Sequence, residues 1–468
     1  MKKAKIYIRA DGSQTIGLGH VVRCIAMAQM LKDEFQIHFI SKEIPESIIE
    51  DISLNGFEFT KIETEETFFK LLTGKDIVVL DNYFFDTAYQ KRIKEISGCK
   101  LVCIDDLHDK EFYADLIINH APGVKPEDYQ AQSFTKFALG LDYALLRPAF
   151  LKAAKEERKI EKIETVFVCF GGSDIKNITS MCLSVLIRIK EFKKIIVVLG
   201  ASFQNSEEVK NIAEATKRVE IYHGIDENRI LDLLKISDLA IVPASGILLE
   251  AISAGCMVIS GMYADNQKFI HQYFKNSDLI IDAGKFDKES IEKAVKSSLK
   301  REIFPLSIID GYSGKRINRL FFGLDINLRN IKKEDCGLLY DWANDPDVRN
   351  NAFATSIINW DNHLNWFLDK LVNPDTHIFI LERKGKAIGQ IRFDKEVDYW
   401  KIDYSIDKKF RGMGMGSKII KLGLEKIEGK VKAWVKKENI ASCKIFENLN
   451  FILEKEIDNN TIQYFLSK

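Results

Sequence analysis

The chain reads as an α/β protein with two open-sheet halves in tandem, followed by a separate α+β domain. Three observations carry this reading. Short β-branched runs alternate with amphipathic stretches through the first two-thirds, the alternation restarts after Arg147-Pro148, and the pattern changes character from about Asn327 onward. Continuous apolar runs of this kind mark parallel strands buried on both faces. At 468 residues the chain also exceeds what one core usually supports, which suggests roughly three domains. The expected boundaries are 1–147, 148–323 and 325–468.

In chain order, the first series of strands is expected at Ile6 to Ala10, Ile37 to Ile40, Ile77 to Leu80, Leu101 to Ile104 and Leu116 to Asn119. A charged stretch, Lys152 to Lys162, separates it from the second. That series runs Thr165 to Phe170, Lys194 to Leu199, Val219 to His223, Leu239 to Val242, Met257 to Gly261 and Leu279 to Asp282. Ligands of open α/β sheets bind outside the carboxyl ends of the strands, and two such halves facing each other form a cleft. The tail opens with an aromatic-rich helical pattern (Tyr340, Trp342, Trp360, Trp366, Phe367). Antiparallel strands follow at Ile378 to Arg383, Lys386 to Asp394 and Tyr399 to Ile406, then a helix and further strands.

Composition narrows the partners. The 68 basic residues balance the 68 acidic ones, so no global positive field recruits nucleic acid or an anionic membrane. No apolar run reaches the length of a membrane span, and Met1-Lys2-Lys3 leads directly into a strand, which predicts a soluble cytoplasmic protein. Eight cysteines lack C-x-x-C pairing, and several sit in apolar strands such as Val168-Cys169-Phe170; reduced buried thiols are expected, with neither disulfides nor structural zinc.

The first chemical motif is the strand Ile6 to Asp11 running into Gly17-Leu18-Gly19-His20. Outward backbone N–H groups and the helix dipole favour an anion at such a turn. His20 beside it can take a proton from water, although a histidine at a helix start also serves simply as cap or packing. The spacing is not that of a G-x-G-x-x-G dinucleotide fingerprint. In the second half, Gly171-Gly172-Ser173-Asp174 follows a strand, with Ser173 and Asp174 suited to cap the next helix. Further on, the strand ending at Pro243 delivers Ser245-Gly246-Ile247-Leu248, whose N–H groups can face a diphosphate. Glu250, one helical turn later, can accept from ribose hydroxyls. Asn266-Gln267 follows the next strand.

Together these segments carry a family resemblance. Arg9-Ala10-Asp11, Gly17 to His20 with Arg23, Ile104-Asp105-Asp106, Gly171 to Asp174, Ser245 to Glu250, and Asp310-Gly311 with Lys315-Arg316-Ile317 span the first two-thirds of the chain. That part resembles the nucleotide-sugar hydrolases of pseudaminic acid biosynthesis, which are similar in fold to the GT-B glycosyltransferase that makes lipid II. The resemblance implies two Rossmann-like domains in a GT-B arrangement and metal-independent hydrolysis of UDP-2,4-diacetamido-2,4,6-trideoxy-β-L-altropyranose. It implies His20 as the base for the attacking water. It places Arg9, Asp11, Gly17, Gly19, Arg23, Gly172, Ser173, Ser245 to Leu248 and Glu250 around the UDP-sugar, with Asn266 and Gln267 at the sugar or phosphates.

In the tail, the alternating strand Ile402 to Ile406 leads to Arg411-Gly412-Met413-Gly414-Met415-Gly416 and then to a helix. An arginine followed by three alternating glycines at a helix start suits a pyrophosphate. With the strand Ala433 to Val435 and the segment Asn439, Ser442, Phe446, Leu449 and Phe451, this order is similar to that of the GNAT acetyltransferases. The resemblance implies acetyl-CoA as cosubstrate, held by Ile406, Arg411, Gly412, Met413, Gly414, Gly416, Asn439, Ser442 and Phe446. Many members carry a tyrosine where Phe446 stands, to protonate the departing thiolate; phenylalanine has no acidic proton. Asp394, Asp403 and Tyr404 lie on the central strands and are open for amine deprotonation, where aspartates also suit pairing with arginines. Trp342, Asn344, Asp345, Arg349, Asn350, Asn351, Trp360 and His363 suit an acceptor wall or, for the aromatics, core packing.

A GNAT domain joined to such a hydrolase implies consecutive steps. The first is 4-N-acetylation of UDP-4-amino-4,6-dideoxy-N-acetyl-β-L-altrosamine, and the second is hydrolytic release of UDP. Rival readings are a GT-B glycosyltransferase, a pair acting on another nucleotide sugar, and a regulatory protein that senses nucleotide sugar and acetyl-CoA. Of the other histidines, His108 and His120 follow strands and can line the cleft, but their spacing fits no metal-ligand set. His38, His223, His271, His363 and His377 are expected to be structural.

Overall fold

The computed structural model describes residues 4–13, 16–171, 174, 176–200, 203, 206–214, 216–301, 308–383 and 385–467. The chain forms two compact units, Met1–Leu320 and Phe321–Lys468.

The first unit contains two doubly wound sheets. The first comprises β1 (Ala4–Ala10), β2 (Phe35–Ser41), β3 (Glu58–Lys61), β4 (Ile77–Asp81), β5 (Lys100–Ile104), β6 (Leu116–Asn119) and β7 (Lys136–Leu139), all parallel, in the order β3-β2-β1-β4-β5-β6-β7. The inner strands are apolar throughout because helices cover both faces; every residue of Ile77–Asp81 is buried. Each such Val or Ile contributes about 1.5–3 kcal/mol by leaving water. The edge strands β3 and β7 were not expected from sequence. They are partly exposed and therefore lack a continuous apolar run.

The second sheet comprises β8 (Thr165–Cys169), β9 (Lys194–Leu199), β10 (Val219–His223), β11 (Leu239–Pro243), β12 (Met257–Gly261) and β13 (Ile281–Asp282), in the order β10-β9-β8-β11-β12-β13. Its last strand is shorter than the expected Leu279 to Asp282. In each sheet the winding direction reverses between the first and fourth strands, β1/β4 and β8/β11. A crevice opens at the carboxyl ends of such strand pairs. This is the α/β, GT-B-like arrangement expected from the sequence.

The second unit is built on β14 (Asn327–Asn330), β15 (Thr376–Arg383), β16 (Lys386–Lys395), β17 (Trp400–Ile406), β18 (Val431–Lys436), β19 (Ile452–Glu456) and β20 (Thr461–Leu466), in the order β14-β15-β16-β17-β18-β20-β19. The tail from Asn327 thus opens with a strand rather than directly with helix; β14 is a four-residue edge strand, too short to give an alternation. Alternate residues of β15 serve opposite faces. Phe379 and Leu381 join the core beneath the helix Met415–Leu424, and Ile378 and Ile380 pack with Leu339, Trp342 and Phe367 of two helices on the other side. All neighbours are antiparallel except β17 and β18. These run parallel and are registered only at Trp400↔Val431 and Lys401↔Lys432, so their edges beyond form a wedge.

All eight cysteines are free thiols. Among the described residues, no helix is long and apolar enough to cross a membrane, and no cluster of three or more His, Cys, Asp or Glu is arranged to hold a metal ion.

Candidate active sites

The first site lies at the β1/β4 switch point. After β1, Gly17 takes a positive φ of 84° that a side chain would strain, and the helix Gly19–Leu31 begins two residues later. His20 and Arg23 are three residues apart in its opening turns and so share a face. Opposite them stands Asp81, the last residue of β4 and fully buried. His20 Nδ1 lies 2.7 Å from Asp81 Oδ1. Arg23 grips the same carboxylate with Nε at 2.6 Å from Oδ2 and Nη2 at 2.6 Å from Oδ1, and reaches Asp106 Oδ1 with Nη1 at 2.6 Å.

Charge decides the protonation of this cluster. Burial alone would raise the Asp81 carboxyl, but the Arg23 charge and His20 outweigh it and hold Asp81 down at about 2. An ionised carboxylate only accepts, which assigns the shared proton to His20 Nδ1 and leaves the Nε2 lone pair as the basic position. Asp106 likewise stays below its ordinary range: burial opposes ionisation and the Arg23 charge overrides it. Buried His120, which accepts from the Leu145 N–H at 3.3 Å, is pushed down to about 4 by burial and by Arg23, so it is neutral. The Tyr83 ring meets His20 edge-on at 4.7 Å. Its hydroxyl donates to Asp106 Oδ2 at 3.0 Å and accepts from Asn266 Nδ2 at 2.9 Å. The arrangement suits a general base oriented by a buried carboxylate.

Other expected site residues take different positions. Arg9 is fully buried and donates to Asp11 at 2.7 Å and Glu65 at 2.8 Å, while Asp11 also accepts from the Lys42 N–H at 2.7 Å. Both therefore brace the loops behind the site rather than face a ligand. Asp105 accepts from the His108 N–H at 2.7 Å and the Tyr129 hydroxyl at 3.1 Å, so Asp106 is the member of that pair that reaches the cluster.

At the β8/β11 switch point, Asp174 caps a helix start as expected, accepting from Ile178 N at 2.9 Å and Thr179 N at 2.8 Å. Gly172 and Ser173 lie outside the described residues. In the helix Gly246–Ser253, the Ser245 N–H bonds Pro243 O at 2.8 Å and the Leu248 N–H bonds Ser245 O at 2.9 Å; among the described residues, the N–H groups of Gly246 and Ile247 have no backbone acceptor. Leu248 itself is fully buried. Glu250 receives Arg147 Nε at 3.0 Å and Nη2 at 2.8 Å, both on Oε1. Burial raises its carboxyl despite that arginine. Asn266 is exposed toward the cleft, whereas buried Gln267 uses Oε1 to accept from Tyr263 N at 2.9 Å and closes its own turn.

Asp81 and Tyr83 escaped the sequence reading. The available signal was a polar residue ending an apolar strand, Ile77-Val78-Val79-Leu80-Asp81, the same signature as Ile104-Asp105-Asp106.

In the second unit, β17 delivers the loop Arg411 to Gly414. Gly412 and Gly414 adopt φ of 75° and 79°, turning backbone N–H groups outward, and no side chain caps the following helix. This fits a pyrophosphate. The Arg411 side chain is spent elsewhere, with Nε on Ile406 O at 3.0 Å and Nη1 and Nη2 on Asp347 at 2.6 Å and Asp345 at 2.7 Å. Asn439 caps the helix Ile440–Asn448 by accepting from Ser442 N at 3.1 Å. Phe446 is buried between Tyr404, Phe451 and Tyr464. Asp394 is tied to Arg392, Lys370 and Thr376, while Asp403 keeps half of its side chain exposed. Trp342 and His363 are core residues; Trp360 is 42% exposed.

A GT-B-like pair of sheets with a histidine–carboxylate dyad, joined to a unit with an open β-wedge and a glycine loop, defines a two-part enzyme-like chain. Residues 325–452 match the family described as Acetyltransferase (GNAT) domain, and the chain is a fusion of that domain with a part that resembles a nucleotide-sugar hydrolase. The UDP-2,4-diacetamido-2,4,6-trideoxy-beta-L-altropyranose hydrolase of Campylobacter jejuni is 27% identical over 267 residues, covering 56% of this chain and 93% of that protein. Spore coat polysaccharide biosynthesis protein SpsG of Bacillus subtilis is 27% identical over 286 residues, covering 59% and 83%. An uncharacterized protein of Methanocaldococcus jannaschii is 27% identical over 489 residues and covers 96% of both chains, so it aligns across both parts. Among solved structures, spermidine N-acetyltransferase from Vibrio cholerae in complex with CoA and spermine is 15% identical, covering 31% of this chain and 95% of that chain with a TM-score of 0.28.

Proposed function

We propose that the chain is a bifunctional enzyme of pseudaminic acid biosynthesis. Its GNAT domain transfers acetyl from acetyl-CoA to the 4-amino group of UDP-4-amino-4,6-dideoxy-N-acetyl-β-L-altrosamine. Its first unit then hydrolyses the product to 2,4-diacetamido-2,4,6-trideoxy-β-L-altropyranose and UDP. The observation that carries this reading is the His20–Asp81 dyad, in a part similar to a UDP-sugar hydrolase, within one chain with a GNAT domain.

In the first unit, His20 Nε2 takes a proton from water while Asp81 stabilises the resulting imidazolium. The water oxygen attacks the anomeric carbon, and the bond to the diphosphate breaks with its electron pair on the leaving oxygen. The N–H groups of Gly246 and Ile247 and the dipole of their helix receive that charge, so the scheme requires no metal ion. Glu250 offers Oε2 to the ribose, its Oε1 being held by Arg147. Asn266 and Tyr83 flank the sugar. In the second unit, the glycine loop holds the pyrophosphate of acetyl-CoA, whose thioester supplies an activated acyl group. The balance of 68 basic and 68 acidic residues supports an enzyme of the cytoplasm that acts without nucleic acid or membrane.

The test is NMR of the full chain with the UDP-4-amino sugar and acetyl-CoA, beside His20→Ala. The expected result is free diacetylated sugar and UDP from wild type, with the variant stopping at the acetylated UDP-sugar. Acetylated UDP-sugar persisting in both samples would overturn the hydrolase reading.

A further inference from the structure

We infer that Arg147 determines the sugar specificity of the nucleotide site: by occupying Oε1 of Glu250 it leaves Oε2 as a charged acceptor, which distinguishes a ribose from a sugar without hydroxyls. The inference rests on the reading of Glu250 as the ribose acceptor given above. Arg147 lies in the crossing between the two sheets of the first unit, after β7 and directly before the helix Pro148–Ala153. Its guanidinium sits 5.0 Å from the ring of fully buried Phe150. Its Nε and Nη2 both end on Glu250 Oε1, at 3.0 and 2.8 Å, so neither bond uses Oε2. The two side chains are 14% and 10% exposed, which shields the pair while leaving it within reach of a ligand.

This one cation serves several carboxylates. Glu227, at the start of the helix Glu227–Lys235, places Oε2 3.8 Å from Arg147 Nε and accepts from Gln29 Nε2 at 3.3 Å. Asp51 stands in the same field: burial and Glu227 raise its carboxyl, and Arg147 lowers it. The Cys169 thiol at the end of β8 also faces Glu250, but burial pushes it up to about 11 and it stays neutral.

Without Arg147, Glu250 is a buried carboxylate beside Glu227 with its positive partner gone. Burial and the Glu227 charge both favour the protonated acid, and the Arg147 charge opposes them. Protonation turns one oxygen into a donor and removes the charge that strengthens a hydrogen bond from a hydroxyl. The site then no longer prefers a sugar that brings two hydroxyls to it.

The test compares UDP with 2′,3′-dideoxy-UDP by calorimetry on the full chain. The two ligands share the diphosphate, so its own titration cancels in their ratio. Wild type should bind UDP about 100-fold more tightly at about pH 6 and about pH 9 alike, because hydrogen bonds to a charged acceptor are lost with the hydroxyls. In Arg147→Met the ratio should fall to about 10-fold or less at the lower pH and recover at the higher, where Glu250 ionises, while Arg147→Lys keeps most of it at both. A ratio unchanged in Arg147→Met, or lost at both pH values in both variants, overturns the inference. A second readout needs no nucleotide. Removing Arg147 raises Glu250 in the folded chain further above its unfolded value, so the folded state holds the proton longer. The melting temperature of Arg147→Met should therefore fall from about pH 5 to about pH 8 more steeply than that of wild type, and Arg147→Met/Glu250→Gln should remove the extra slope. Equal slopes in wild type and Arg147→Met overturn the inference. The extra slope in a protein whose wild type binds both nucleotides alike sinks the ribose reading and leaves Arg147 as the residue that sets the charge of Glu250.

Discussion

Asn266 donates a 2.9 Å hydrogen bond to the hydroxyl of Tyr83, and the two residues lie in connections that follow strands of different sheets of the first unit. From Tyr83 the network continues through Asp106 and Arg23 to Asp81 and His20. The proposed base is thus tied by consecutive polar contacts to the opposite wall of its cleft.

Replacing that link tests its weight. Tyr83→Phe removes one bond to each partner while keeping the ring against His20. Since a net hydrogen bond is worth about 0.5–1.5 kcal/mol, kcat/KM for UDP release should drop about 10-fold. Steady-state assays of UDP production measure this, with acetyl transfer by the same protein unaffected.

Asp81→Asn leaves a near-isosteric side chain that no longer stabilises an imidazolium. Hydrolysis should slow by about 10²–10⁴-fold. The same substitution has a signature in stability. The Asp81 carboxyl is held at about 2 in the folded protein, below its unfolded value, so its stabilisation is complete above about pH 4. It is lost as pH falls toward 2. Urea unfolding followed against pH should show the gap between wild type and variant narrowing over that window.

His120 adds a loss of stability on acidification in a higher pH window. Its folded value of about 4 lies below the ordinary 6.5, so the unfolded chain binds the proton first as pH falls. Stability therefore declines between pH 6.5 and 4, by on the order of 3 kcal/mol when complete. His120→Asn should flatten that part of the stability profile, as followed by thermal unfolding across the same pH range.

Gly414→Ala forces a side chain onto a backbone at φ 79°. The strain is about 1–2 kcal/mol, and relieving it turns N–H groups away from the anion site. Calorimetry should find acetyl-CoA bound about 10-fold more weakly, while Gly423→Ala, remote from the loop, acts on packing against Ile391 and Phe393.

Much of the site was legible where local chemistry demands it. A glycine with positive φ before a helix, a histidine in the first turn, and an arginine followed by alternating glycines after a strand are local instructions, and Gly17, His20, Gly412 and Gly414 stand where those instructions place them. The edge strands Glu58–Lys61 and Lys136–Leu139 were not legible, since half-exposed strands carry no continuous apolar run. Arg9, Gln267 and the Leu248 N–H illustrate a different limit. Each has the right type and neighbourhood for a ligand, yet each is spent on a bond inside the protein.

By itself, then, the sequence determined the order of the buried strands, the two parallel sheets, the GNAT-type unit and the turns that carry His20 and the glycine loop, because apolar periodicity and turn chemistry act over a few residues. Only the tertiary structure decided that Asp81, 61 positions from His20, orients its ring, that Asn266 reaches Tyr83 across 183 positions, and that Tyr404 meets Ser442 across the wedge. Such pairings arise when distant strands are laid side by side and their ends converge, and the physical cause is sheet topology, which no local pattern encodes.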